Sequence, residues 1–157
     1  ICGYNLKPLS PIKAAIQLIL HHYKEMNSIY HLATHNSINQ YMFKDIYFLI
    51  KNNSETITVE RMLELGGKYE ILPFMYYIFY YTNQIYKDEK LSEFVTAFET
   101  SEGKALLPYY GLEEKEKKLW NIDFFTRLNS NNTFDLIKGA LTDYDKEKLE
   151  RSTRVFG

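Results

Sequence analysis

Cysteine is nearly absent from this chain. The single Cys2 excludes an internal disulfide framework and any zinc site built on several thiolates, and it points to a reducing compartment, so the cytoplasm is the expected location. Charge of one sign is missing too. With 19 basic residues against 20 acidic ones, no global field draws the chain onto phosphate backbones or anionic membranes. Nucleic acid is therefore not indicated as a partner. The longest apolar run, Ile71 to Tyr81, contains Pro73 and is too short to cross a bilayer. The first residues lack a basic segment followed by an apolar one, so neither an export signal nor a membrane span is expected. No Gly-rich phosphate loop, Walker lysine motif or nucleophile elbow is present.

Punctuation is also sparse. Only 4 prolines and 7 glycines interrupt 157 residues, and the apolar spacing is mostly helical, so the chain reads as an all-α, multi-helix bundle of about six to eight helices. Its size fits one domain spanning residues 1–157. The first helix starts with Ser10 as N-cap and Pro11 at its first position. Ile12, Ala15, Ile16, Ile19, Leu20, Tyr23 and Met26 form its apolar face, with His21 opposite and His22 on the flank. A polar linker around Asn27 to Asn36 leads to a second helix, from about Ser37 to Lys51. That helix carries Ile38, Tyr41, Met42 and Leu49 on one side, with Asp45 near the middle of the stripe. A third helix follows Thr58, where Gly66 and Gly67 weaken it or admit a close neighbour. The fourth, about Pro73 to Tyr86, is apolar or aromatic nearly all round, as the central pillar of a bundle would be. Leu91, Phe94, Val95 and Phe98 mark a fifth. Glu102 to Gly111 reads as loop, the run Glu113 to Lys118 as a solvated helical face, and short helices start near Phe134 and Tyr144.

Four histidines, His21, His22, His31 and His35, fall within fifteen residues, and His31 and His35 have the four-residue spacing that zinc sites use on helices. No Glu follows His31, and the segment reads as linker, so no metal site is expected in this chain. A carboxylate inside an apolar stripe needs a partner, and His22, a nearby Tyr hydroxyl or a backbone N–H is expected to supply it for Asp45. Arg127 is expected to pair with Asp123 four residues earlier. The one Asp-x-Asp, Asp143-Tyr144-Asp145, reads as the start of a charged helix rather than a strand-borne metal clamp.

Several segments occur together in one order: Pro8-Leu-Ser-Pro11, Leu20-His-His-Tyr-Lys-Glu25, Phe43-Lys-Asp-Ile-Tyr-Phe-Leu-Ile50, Ile57-Thr-Val-Glu60, Lys68-Tyr-Glu-Ile71, and Trp120 with Asp123-Phe-Phe-Thr-Arg-Leu128. Across residues 8–128 they resemble the C-terminal helical part of a family of predicted bacterial nucleotidyltransferases. The resemblance implies an N-terminal α/β catalytic domain as partner, in which a Gly-Ser turn and a strand-borne Asp-x-Asp hold Mg²⁺ and a nucleoside triphosphate. This chain would be its helical accessory and acceptor-recognition domain, inactive alone. No catalytic residue is carried over. His22, Lys24 and Asp45 lie in the matching segments and are the expected positions in a cleft or a buried polar pair. The alternative is a free-standing helical interaction module that binds a protein through exposed tyrosines.

Overall fold

The computed structural model describes residues 9–34 and 38–156. Cys2 and His35 lie outside them, as does the expected start of the second helix at Ser37. Among the described residues the chain forms ten helices and one two-stranded antiparallel ribbon, so the all-α bundle is the fold. Helix α1 spans Pro11–Asn27, α2 Ile29–Thr34, α3 Gln40–Asn52, α4 Val59–Lys68 and α5 Leu72–Tyr86. They are followed by α6 at Glu89–Ala97 and α7 at Ser101–Leu106. Strands β1 (Tyr109–Tyr110) and β2 (Lys118–Leu119) pair with Tyr109 opposite Leu119. The chain closes with α8 at Phe124–Leu128, α9 at Thr133–Ile137 and α10 at Asp143–Phe156. No helix among the described residues is long and apolar enough to cross a membrane.

Short polar residues start these helices by accepting the amide hydrogens that the first turn leaves unpaired. Asn39 does so for α3, Thr58 for α4, Asp88 for α6, Thr100 for α7, Asp123 for α8 and Asn132 for α9. At α10 the exchange is reciprocal. The Thr142 hydroxyl accepts the Asp145 N–H, while the Asp145 carboxylate accepts the Thr142 N–H at 2.7 Å. Ser10 precedes Pro11 as expected, but its side chain makes no capping bond.

Helix α5 is the pillar. Met75, Tyr76, Tyr77, Ile78, Phe79, Tyr81 and Thr82 are all buried, and α1, α3, α4, α6 and α7 pack around it. Two glycines let neighbours close in. A Cβ on Gly66 would lie 2.6 Å from a Leu72 methyl carbon, and one on Gly103 would lie 2.7 Å from the Tyr76 ring.

Four expectations change. The linker after Asn27 contains α2, whose Ile29 and Leu32 are buried. The stretch Glu102 to Gly111 holds most of α7 and strand β1 rather than loop. The run Glu113 to Lys118 is no solvated helix: it turns through a short 3₁₀ segment at Glu114–Glu116 into β2, with Glu116 buried. Finally, α3 is rotated relative to the expected register. Its buried stripe is Met42, Phe43, Ile46 and Ile50, so Tyr41 and Asp45 face solvent. Phe43 and Ile46 bury more apolar surface than Tyr41 would, and that preference places Asp45 outside.

Candidate functional site

Arg127 is the most unusual side chain in the molecule. It lies in the second half of α8, and the expected pair with Asp123 does not form. Asp123 caps the helix instead, accepting the Thr126 N–H at 3.0 Å and the Thr126 hydroxyl at 2.6 Å. A capping residue aims its side chain back at the first-turn amides, which takes it away from the fourth residue of the helix. Arg127 turns inward and is only 3% exposed. Its guanidinium carbon sits 4.3 Å from the Trp120 ring centre, 5.5 Å from that of Tyr81 and 5.7 Å from that of Phe124. Nη2 donates to the Tyr81 hydroxyl at 3.3 Å, and that hydroxyl donates to the Leu107 carbonyl at 2.9 Å. Nε and Nη1 have no hydrogen-bond partner among the described residues. Among the described residues, Arg127 forms no ion pair with a carboxylate. Burial raises the Tyr81 pKa above its ordinary value, and the neighbouring guanidinium works against that rise.

A cleft of about 380 Å³ opens over this group, walled by Tyr80, Tyr81, Gln84, Leu107 and Phe125. Phe125 is 47% exposed at its rim. Desolvating a guanidinium without a counter-charge is costly, and aromatic faces offset only part of that cost. Arg127 lines this cleft with Nε and Nη1 buried behind its wall, and a planar anionic group, carboxylate or phosphate, would reach them once the aromatic wall opens.

Beside Arg127 runs a second polar seam. The Tyr110 ring lies 4.4 Å from that of Trp120, and among the described residues neither the Tyr110 hydroxyl nor the Trp120 Nε1 has a partner. Burial pushes the Tyr110 pKa up to about 12, with the Asp145 charge adding to the effect. Asp145 is buried and is held by Lys118 at 2.6 Å and by Thr142. Burial would raise its carboxyl, but these hydrogen bonds outweigh it, and the pKa lies below the ordinary value. Lys148 reaches Glu113 and buried Glu116 at 2.6 Å each. These two clasps fasten α10 to the β1–β2 ribbon. They were hidden in a charge run whose Glu and Lys alternate, and the one available signal was Gly111, which adopts φ +96 at the turn.

The structure separates the expected trio. His22 is buried, but its partner is Glu25 on its own helix, with Nδ1 to Oε2 at 3.3 Å. Asp45 is exposed and makes no hydrogen bond or ion pair among the described residues, although its charge acts on the His22 ring. Lys24 is exposed and takes no part in either group. The five clefts described in this structure are lined by other residues. Nor does the Asp-x-Asp fit Mg²⁺ and a triphosphate: Asp143 is exposed beside Lys146, and Asp145 is committed to Lys118. The chain matches no protein-family model, no curated protein and no solved structure.

Proposed function

We propose that this chain is the helical acceptor-recognition part of a nucleotidyltransferase-like protein, and that the Arg127 cleft takes an anionic group of the acceptor. The observation that supports this is a buried guanidinium at the wall of an aromatic cleft, with two nitrogens unpartnered among the described residues. Arg127 belongs to the Asp123–Leu128 segment, one of those that carry the family resemblance. Catalysis would belong to an N-terminal α/β partner with its own Mg²⁺ and nucleotide, and no step of it is assigned to residues here.

The test is calorimetric titration with inorganic pyrophosphate at low salt. Saturable binding at one equivalent is expected, weakened at least about tenfold in Arg127→Met and unchanged in Lys44→Met. Absence of saturation, or binding indifferent to Arg127, defeats the cleft assignment. The family reading is tested separately in the coding DNA before the Ile1 codon, where an open frame with a Gly-Ser turn and a strand-borne Asp-x-Asp is expected.

The second reading, a helical interaction module, draws on the outer face of α3, where Tyr41 is 71% and Phe48 42% exposed. Of the α5 tyrosines, Tyr76, Tyr77 and Tyr81 are buried and do not serve it, while Tyr80 and Tyr86 are half-buried.

A further inference from the structure

The last turns of α1 bring two imidazoles onto one carboxylate. His21 Nε2 lies 3.2 Å from Glu25 Oε1, and His22 Nδ1 lies 3.3 Å from Glu25 Oε2. The donor atoms of all three residues fall within 4.8 Å of one another. We propose that His21, His22 and Glu25 form a binding site for a divalent transition metal of the zinc class, and that the site is independent of the Arg127 cleft.

The distances fit the chemistry. Bonds of about 2.0–2.2 Å from zinc to nitrogen and oxygen, at tetrahedral angles, place neighbouring ligand atoms about 3.3 Å apart. Each imidazole nitrogen lies at that spacing from one Glu25 oxygen, and coordination exchanges the two long hydrogen bonds for metal bonds as the side chains close on the ion. Two imidazoles and one carboxylate suit zinc over magnesium or calcium, which prefer oxygen ligands. The site is graded in burial: the His22 side chain is 8% exposed, Glu25 25% and His21 55%, which leaves an approach from solvent on the His21 side.

His22 is prepared to coordinate. Its Nδ1 already lies 3.3 Å from Glu25 Oε2. Its Nε2 is buried without a partner among the described residues. Against a carboxylate each contacting ring nitrogen carries the proton, so coordination at His22 Nδ1 and His21 Nε2 moves that proton to the other nitrogen of the same ring. Each ring changes tautomer and neither loses its proton. Asp45 gains a role that helix packing does not give it. It is exposed on α3, without an ion pair among the described residues, and its charge already acts on His22. That charge also favours a dication held by His22 and Glu25.

The experiment uses the full chain carrying Cys2→Ser, which removes the single thiol, stripped of metal and titrated with Zn²⁺ by competition against a chromophoric chelator. One equivalent is expected to bind and to raise the melting temperature by several degrees. His21→Ala and Glu25→Gln should each weaken binding at least about tenfold, and Asp45→Asn by a smaller factor. His31→Asn should leave it unchanged. His21 is exposed, so its variant folds even if one at buried His22 does not. Ring ¹⁵N shifts should report coordination at His21 Nε2 and His22 Nδ1. Substoichiometric binding, or a Zn²⁺-induced rise in melting temperature that survives both His21→Ala and Glu25→Gln, overturns the proposal.

Discussion

Replacing Arg127 with Met separates a cation kept for binding from one kept for stability. Met approximates the length and apolar volume of the arginine stem and can occupy the slot between Trp120, Tyr81 and Phe124. Two favourable interactions disappear. Cation–π attraction at a desolvated site contributes about 2 kcal/mol, and the hydrogen bond from the charged Nη2 to Tyr81 contributes about 1.5–3 kcal/mol. Against them stands the desolvation of an ion that has no carboxylate and two unmet N–H donors, roughly several kcal/mol after relaxation. The opposing contributions nearly cancel. Arg127→Met should therefore leave stability within about 1 kcal/mol of the parent, or raise it. Urea unfolding followed by far-UV circular dichroism reads the difference from the midpoint, provided the slope is unchanged. Trp120 fluorescence serves as a second probe of the same transition. A loss above about 2 kcal/mol at constant slope would show that the guanidinium is a structural clasp and would refute the reasoning.

Asp145 is the opposite case, a buried charge whose Oδ2 meets both Lys118 and Thr142. Asp145→Ala removes the Lys118 pair and the start of α10, and should cost about 3–5 kcal/mol in the same assay; a cost under about 1 kcal/mol would mean the clasp is not formed in solution. Asp45→Ala should change metal-free stability by less than about 0.5 kcal/mol, because the side chain is exposed and makes no hydrogen bond; a loss of about 1–3 kcal/mol would restore the buried-pair reading. Acid should weaken the fold through both His22 and Asp145. The folded-state pKa of each is depressed, so the stability they confer is present above the unfolded-state value and is lost as pH falls through the folded one. For His22 that loss begins below about pH 6.5, and for Asp145 below about pH 4. A melting temperature unchanged between pH 7 and pH 5 in the metal-free protein would contradict the burial of His22.

Much of the bundle was legible in the sequence because it is encoded locally. Ser10-Pro11, Thr58 and the apolar circumference of α5 act within one or two turns, and each lies where its residues predicted. Register was harder. The period of α3 fits either Tyr41 or Phe43 on the buried side, and only packing of α3 against α1 and α5 chose Phe43 and left Asp45 outside. The histidine pair with Glu25 is local in sequence, yet its burial gradient depends on what covers His22. The remaining features depend on partners distant in the chain. Arg127 meets Tyr81 across 46 residues. Lys118 takes Asp145 from a helix whose charges, read alone, all belong to solvent. Sequence by itself determined the long helices α1, α4 and α5, through capping and periodicity that neighbouring residues satisfy among themselves, while the short α2 and α7 escaped it. Tertiary structure alone decided which charges are buried, since desolvation and pairing depend on groups brought together only when the bundle closes.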